Sequence, residues 1–169
     1  AVAAGHAGYC DIISPPNEKK VETGDILILD TGATFKGYFC DFDRNFSFGK
    51  PNKDIAEAYR LAWIATENAI SYAKPGMAAS QLFDIMNKTI GSDNSSVGRF
   101  GHGLGIQLTE WPSVCSHDHT TLMPGMVITI EPSVEFGKNC IMVHEENILI
   151  TDTGAEILTL RAPSNIEII

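Results

Sequence analysis

Four acidic residues and one histidine are the part of this 169-residue chain whose types and surroundings could do chemistry. Asp30, Asp41, His102, Glu131 and Glu145 each lie in a short stretch that otherwise reads as an apolar strand or a glycine-rich turn. A buried carboxylate without a partner is costly, and four that converge would repel one another unless cations neutralised them. The set therefore suggests the ligands of a site for two divalent metal ions.

The first two acids belong to a predicted β-hairpin. In the run DFDRNF a period of two puts Asp41 and Asp43 on the same face of a strand. Two acids on that face, opposite a strand that ends in Asp30, would form the beginning of a cation cage. For any single acid of the hairpin, the simpler interpretation is favoured, in which Asp30 ends a strand and Asp41 is solvated on an open face.

The two glutamates are stronger indications. Glu131 is followed by Pro132, which donates no backbone hydrogen bond and therefore suits a strand end or bulge. Glu145 interrupts the apolar run CIMVHEENILI, where a lone inward acid would be destabilising. Metal ligation, an arginine partner or a catalytic acid pair would each explain two such residues. The neighbouring Glu146 is expected to point the other way, as a surface charge.

The histidines differ in their surroundings. His102 lies in the run GHGLG, whose small residues let a ligand or an ion approach the imidazole closely. His117 and His119 lie in a polar loop and are expected to be exposed. His144 should direct its side chain to the face away from Glu145, because adjacent strand residues point in opposite directions.

The composition of this ligand set bears on which metal it would hold. Carboxylates with one imidazole and no thiolate favour Mn, Co, Fe or Zn in a reactive site over a structural zinc, which prefers cysteine and histidine. Two ions roughly 3.5 to 4 Å apart can share a hydroxide and stabilise the tetrahedral intermediate of amide hydrolysis. The pattern therefore points to metal-assisted hydrolysis.

Around these residues the chain alternates strand-rich ends with a helical middle. Residues 24–30 and 37–49 predict two paired strands joined by residues 32–37, and helical periodicity covers 52–73 and then 80–89. The run from residue 91 to 101 has the composition of a loop. Three further stretches predict adjoining strands: MVITIEPSV (126–134), CIMVHEENILI (140–150) and AEILTL (155–160). This order of elements indicates an α+β fold.

Composition narrows the function further. A net charge of -9 disfavours nucleic acid and anionic membranes as partners, because both bind to clustered Lys and Arg. No apolar run approaches the length of a membrane span, and no secretory signal opens the sequence, so a cytoplasmic protein is expected. The length and the 44% hydrophobic content suit one domain.

Cysteine usage agrees with a reducing compartment. Cys10, Cys40, Cys115 and Cys140 are scattered and form no CxxC pair. We expect buried free thiols in place of a disulfide framework.

The ordered series LDTGATFKGYFCDFDRNF, GHGLG, PGMVITIEP and HEENILIT closely resembles the creatinase, prolidase and methionine aminopeptidase family, the M24 metallopeptidases of the pita-bread fold. The likeness spans essentially the whole chain. It implies a curved antiparallel sheet with flanking helices, and it implies that residues 1–169 are an N-terminally truncated part of the catalytic domain.

The same resemblance assigns roles to the five residues. It implies that Asp30 is a bidentate ligand of one ion and that Asp41 and Glu145 bridge both ions. His102 and Glu131 would complete the shell of the second ion, and Glu131 would also shuttle a proton from the nucleophilic water. The implied cofactors are two divalent metal ions.

The departures from the family pattern concern the substrate. Thr109 stands where such peptidases usually have a second histidine after the GHG loop, and Ile13 is nearest to the position of another. Val143 lies where an arginine often precedes the last glutamate, and Asp43 stands where most have threonine. Thr109 and Asp43 are therefore the candidate substrate-binding residues.

Three functions remain open at this point. The resemblance favours an aminopeptidase or dipeptidase that cleaves Xaa-Pro or related bonds in small peptides. The departures favour a non-peptidase member of the same fold, either a hydrolase of a small amide of the creatine or ectoine type or a lyase. An inactive binding module is the third alternative. The resemblance also allows a homodimer of the full-length protein.

Overall fold

The computed structural model describes residues 1–6, 8–12, 17–91 and 98–169. In these residues, two helices are combined with mainly antiparallel sheets, and the predicted α+β class is confirmed. The helices are α1 (Lys53–Tyr72) and α2 (Ala79–Ile90). In chain order the strands are β1 (Val2–His6), β2 (Asp25–Phe35), β3 (Tyr38–Ser47), β4 (His102–Gly103), β5 (Glu110–Ser113), β6 (Val127–Ile130), β7 (Ser133–Phe136), β8 (Cys140–Val143), β9 (Glu146–Ile150), β10 (Ala155–Ile157) and β11 (Glu167–Ile168).

The strands form two larger sheets and a two-stranded ribbon. One sheet has the order β1-β2-β3-β11 and the other has the order β10-β9-β6-β4-β5, while β7 pairs with β8. The helix α1 packs against α2 and against the β7-β8 ribbon. The predicted adjacency of the three late strands is confirmed for β6, β9 and β10.

The β2-β3 hairpin is longer than the sequence indicates. The predicted connection at residues 32–37 is wrong for residues 32–35, which continue β2 and pair with β3. The turn is reduced to Lys36 and Gly37, whose φ angles of 51° and 88° suit a two-residue hairpin turn. Gly32 permits this pairing, since a Cβ atom there would lie 2.3 Å from the carbonyl oxygen of Cys40.

Both predicted helices are present. The side chain of Asn52 caps α1 by accepting a hydrogen bond from the N–H of Ile55 at 2.9 Å, which satisfies one of the free donors of the first turn. Alanines on the inner face of α1 are fully buried and let the helix approach its neighbours closely. At the end of α2, Gly91 adopts a left-handed conformation with φ of 72°.

The run CIMVHEENILI is two strands, and the prediction of one continuous strand is wrong. β8 pairs with β7, whereas β9 pairs with β6 in the five-stranded sheet. The break falls at His144 and Glu145, opposite Glu131 and Pro132, and the N–H of His144 donates to Pro132 O at 3.3 Å. Proline offers no N–H in return, so the regular ladder stops there. Each glutamate thus lies where its strand changes partner.

Some expectations concern other parts of the chain. The prediction of buried thiols is right for Cys115 and wrong for the other three, since Cys10 is exposed and Cys40 and Cys140 are partly exposed. Within the described residues, neither helix combines the length and the apolar character needed to cross a membrane. Ile13 and residues 92–97 of the predicted loop lie outside the described residues.

Candidate metal centre

Three of the predicted ligands come together at one point. The ligand atoms of Asp41, His102 and Glu145 all lie within 4.8 Å of one another. Asp41 belongs to β3 of the four-stranded sheet, His102 to β4 of the five-stranded sheet, and Glu145 to the link between β8 and β9. The point of convergence therefore lies where these two sheets and the ribbon meet.

The imidazole of His102 is oriented for ligation. Its Nδ1 atom lies 2.9 Å from the carbonyl oxygen of Gly103. A carbonyl can only accept, so Nδ1 carries the proton and Nε2 presents its lone pair. Nε2 lies 3.7 Å from Asp41 Oδ2. His102 is almost fully buried, and this burial lowers its pKa, which keeps the ring neutral.

Asp30 and Asp43 lie beside this group. The β2-β3 register pairs Asp30 with Asp43, which confirms that the acids share one face of the hairpin. Asp43 is only 2% exposed, and its Oδ1 accepts a hydrogen bond from the N–H of Glu145 at 3.1 Å. Asp30 and Asp41 line a cavity of ≈ 620 Å³ together with Phe39 and Leu108.

The acids are electrostatically strained without a counter-charge. Burial, followed by the charge of Asp30, raises the pKa of Asp41 to about 6. Burial raises the pKa of Glu131 to about 7, with further upward contributions from Asp41 and Asp30. Burial and then Glu131 raise the pKa of Glu145 well above its usual value. Each of these carboxylates therefore resists ionisation, first because it is buried and then because its acidic neighbours are close by.

This arrangement fits divalent cations. Glu145 Oε1 and Asp43 Oδ2 are buried atoms that no protein group in the described part of the chain satisfies. A buried carboxylate oxygen without a donor costs stability unless something outside the protein binds it. A cation would satisfy such atoms and would reverse the mutual repulsion of the acids.

Two neighbouring residues were not foreseen. The side chain of Asn147 accepts from the N–H of Asp41 at 3.1 Å and donates to Asp41 O, so it fastens β9 to β3 beside the site. Burial raises the pKa of Asp41 and of Glu131, and the charge of half-buried Arg99 offsets part of this rise. An amide two residues after Glu145 in an apolar strand, and a cation three residues before His102, were the available signals.

The prediction that Glu146 is a surface charge is wrong. This residue was expected on the surface, but it is fully buried. Its Oε1 lies 2.9 Å from Arg161 Nη1, and its Oε2 lies 3.2 Å from Arg44 Nη2. Thr159 donates to the same carboxylate through its hydroxyl, and Ala162 donates through its backbone N–H. The partners of Glu146 lie far away in sequence, so no local pattern identifies them.

The remaining histidines match their predictions. His144 is not part of the ligand group of Asp41: its Nδ1 lies 3.1 Å from the hydroxyl oxygen of Thr66 on α1, and its Nε2 lies 4.0 Å from Glu146 Oε1. Burial, reinforced by the charges of Arg161 and Arg44, lowers the pKa of His144 to about 3. His117 and His119 are exposed, as expected.

The candidate substrate residues occupy different environments. Thr109 is exposed on the loop between β4 and β5, next to Leu108 of the cavity. Asp43 is instead enclosed, with Glu145 as its backbone partner. Thr109 is therefore exposed to solvent, whereas Asp43 is buried.

Comparison with known proteins agrees with this geometry. Residues 1–152 match the model of metallopeptidase family M24. A Xaa-Pro dipeptidase from Pyrococcus furiosus is 37% identical over 146 residues, which cover 85% of this chain and 42% of that protein.

Solved structures of a dipeptidase and a prolidase have the same fold as this chain. The dipeptidase PepE from Mycobacterium ulcerans superposes with a TM-score of 0.90 at 29% identity, covering 99% of this chain and 46% of that one. The prolidase from Pyrococcus furiosus superposes with a TM-score of 0.87 at 34% identity, covering 96% and 49%. The chain thus spans less than half the length of these relatives. The predicted pita-bread fold is confirmed, and the chain belongs to metallopeptidase family M24.

Proposed function

We propose that the whole protein is a dinuclear-metal hydrolase that cleaves Xaa-Pro or related bonds in small peptides. The observation that carries this proposal is the convergence of Asp41, His102 and Glu145 within 4.8 Å, in a chain of the M24 family. The relatives named above, a Xaa-Pro dipeptidase and a prolidase, supply the substrate class.

Five residues would hold the ions. Asp41 and Glu145 would bind both, Asp30 would bind one, and His102 and Glu131 would bind the other. The short separations among Asp41, His102 and Glu145 support the shared part of this assignment. The oxygen-rich donor set supports Mn, Co, Fe or Zn as the metal.

Glu131 would also move the proton. Bound divalent ions would supply Lewis acidity toward the substrate carbonyl and a lowered pKa for the attacking water. A bound cation would lower the pKa of Glu131 and keep its carboxylate ionised, and an ionised carboxylate beside the attacking water can act as a general base. Glu131 would therefore take a proton from water and deliver it to the leaving amine.

Asp43 and Thr109 would act on specificity in different ways. Because Asp43 is enclosed and holds the backbone N–H of Glu145, it would affect the substrate indirectly, by fixing the position of Glu145. Thr109 is exposed beside the cavity and would contact the substrate directly. A hydroxyl in place of an imidazole can donate or accept a hydrogen bond, but it cannot carry a charge.

A substrate panel tests the proposed activity. The full-length protein, loaded with Mn or Co, is assayed against Xaa-Pro dipeptides, longer peptides with proline in the second position, and creatine-like small amides. We expect cleavage of the proline peptides and none by Asp41→Asn protein. Hydrolysis of the small amides alone would favour the second candidate, a non-peptidase hydrolase of this fold, which Thr109 at the place of the usual histidine supports.

Two buried carboxylate oxygens without a hydrogen-bond partner argue against the third alternative, an inactive binding module. Glu145 Oε1 and Asp43 Oδ2 would destabilise a protein that had no cation to bind them. If the protein cleaved no substrate in the panel and also bound no metal, the inactive binding module would be favoured instead.

A further inference from the structure

A pair of cysteines lies at the junction between the N-terminal segment and the β7-β8 ribbon, apart from the metal centre. Tyr9 and Ile141 form an antiparallel bridge, in which the N–H of Ile141 donates to Tyr9 O at 2.9 Å. In an antiparallel pair, the residue after one partner faces the residue before the other. The register of this isolated bridge therefore directs Cys10 toward Cys140.

The register suits a disulfide bond. Because Tyr9 and Ile141 are hydrogen-bonded, the next pair occupies a non-hydrogen-bonded position, where Cα atoms are about 4.5 Å apart. This lies inside the range of about 4.4 to 6.8 Å that disulfides span between Cα atoms. The ideal register of such a pair therefore falls inside the Cα separation that a disulfide between Cys10 and Cys140 needs.

The side chain of Cys140 points toward this segment. A Cβ atom added to Gly8 would lie 3.0 Å from Cys140 Cβ and 3.2 Å from its Sγ. Both cysteines also line the same cavity. Burial and then the neighbouring Cys10 thiol raise the pKa of Cys140, which agrees with direct contact between the two thiols.

We propose that Cys10 and Cys140 form a reversible disulfide, a site of covalent oxidation separate from the metal centre. Among the described residues, the one group of three or more potential metal ligands is that of Asp41, so a metal site built on these two thiols is not favoured. Cys10 is exposed and accessible to a small oxidant, whereas Cys140 is partly covered.

The reaction is a thiol-disulfide exchange with a small disulfide such as glutathione disulfide. The Cys10 thiolate attacks one sulfur of the oxidant, whose S–S bond breaks and releases one glutathione thiolate. The Cys140 thiolate then attacks Cys10 Sγ and displaces the second glutathione. The protein loses two electrons and two protons, and glutathione disulfide is reduced to two glutathione molecules.

The bond would fasten a segment that is already tied to the sheet near the acids. The Tyr9 hydroxyl donates to Asn45 Oδ1 at 2.8 Å and accepts from the N–H of Val143 at 2.9 Å. A disulfide at the next residue would add a covalent link to this contact. Because the closed loop runs from residue 10 to residue 140, we expect the melting temperature to rise by about 5 to 10 °C.

Oxidation of the full-length protein tests the proposal. The reduced protein is incubated with glutathione disulfide, trapped with an alkylating reagent, digested and mapped by mass spectrometry. We expect a peptide that joins Cys10 to Cys140 and disappears on reduction. Cys40→Ser and Cys115→Ser proteins should retain this crosslink.

Single variants separate the possible outcomes. In Cys140→Ser protein we expect Cys10 to stop at the mixed disulfide with glutathione, without the rise in melting temperature. A wild-type protein that also stops at mixed disulfides would overturn the proposal. So would a crosslink between other cysteines, or one that forms only between two molecules.

Discussion

Three backbone N–H groups of the candidate ligands donate to side chains in place of a neighbouring strand. The N–H of Asp41 donates to Asn147 Oδ1, and that of Glu145 donates to Asp43 Oδ1. The N–H of His102 donates to the hydroxyl of Thr129 at 3.1 Å. A ligand fixed through its own backbone has little freedom to follow an ion of the wrong size. At the residue scale, the site is therefore preorganised by polar side chains outside the set of five proposed ligands.

The first prediction concerns the shared ligand. Asp41→Asn keeps the shape of the side chain but removes a charge, so we expect metal affinity to fall by at least about 100-fold and activity to be lost with it. Isothermal titration with Mn measures the affinity. His119→Ala is the control, because His119 is exposed and contacts Ser80 on α2. Equal losses in both variants would show that the ligands are assigned wrongly.

The second prediction concerns pH in the metal-free protein. The pKa of Asp41 rises to about 6 and that of Glu131 to about 7 in the folded state, above their usual 3.8 and 4.5. The folded state therefore holds these protons more tightly than the unfolded state. Their stabilising effect is complete below the unfolded pKa values and is lost as pH rises through about 6 and 7.

Urea unfolding in a chelator, compared between pH 5 and pH 8, measures this effect. His144 acts in the opposite direction, because its lowered pKa costs stability as pH falls below 6.5 toward about 3. The Glu131→Gln variant separates the effect of the acids from that of His144, since it keeps His144 and removes one of the acids. We expect the variant to lose less stability toward pH 8 than the wild type; an identical pH profile would contradict the assignment.

Residue types and local context identified the five candidate ligands, because an acid in an apolar strand is conspicuous from sequence alone. Asn147 was not identified, since its role depends on β3 and β9 lying side by side. Burial of Glu146 was not identified for the same reason. What escaped prediction is thus the set of polar partners contributed by distant parts of the chain.

At the scale of elements, the site depends on strands that end or change partner. Glu131 and Glu145 occupy facing breaks between the five-stranded sheet and the ribbon, where the ladder is interrupted and side chains can be redirected. The buried carboxylate of Glu146 follows at the first residue of β9, and Arg44 and Arg161 hold it. This ionic cluster links Arg161 of the C-terminal segment to Glu146 of β9 and, through it, to Arg44 of β3.

The third prediction tests this cluster. Glu146→Gln leaves Arg44 facing a neutral amide in a buried place, while Arg161 keeps its ion pair with Glu67. We expect a loss of about 3 kcal/mol in the free energy of unfolding. Glu57→Gln is the matched control, because Glu57 pairs with Arg60 on the exposed surface of α1. Urea unfolding should detect no loss in the control. Equal stability of the two variants would mean that the cluster does not hold the segment.

At the scale of the whole molecule, sequence periodicity predicted the helices and strands whose formation depends on residues that are close in sequence. The two helices and the β2-β3 hairpin were foreseen because helical spacing and strand alternation are visible in short stretches of sequence. The division of residues 140–150 between two sheets was not, because strand pairing is decided by long-range contacts. The family resemblance supplied the overall architecture, which the comparison with solved structures confirms.

The fourth prediction concerns the stability of the whole protein. Since the unsatisfied acids lie between two sheets, cations that bind only the folded state should stabilise the molecule as a unit. At a free metal concentration about 100 times the dissociation constant, we expect a gain of about 2.7 kcal/mol. This should appear as a rise of about 5 to 10 °C in the melting temperature. A rise of the same size in Asp41→Asn protein would place the bound ion elsewhere.

The metal content of the full-length protein tests the central claim most directly. The protein is purified gently, reconstituted with Mn or Co, freed of excess metal and measured by elemental analysis, in parallel with Asp41→Asn, Glu145→Gln and His119→Ala proteins. We predict close to two ions per chain in the wild type and in His119→Ala, and a marked loss in the other two. A wild-type protein that retains no metal after reconstitution, or ligand variants that retain as much as the wild type, would contradict the proposed dinuclear centre.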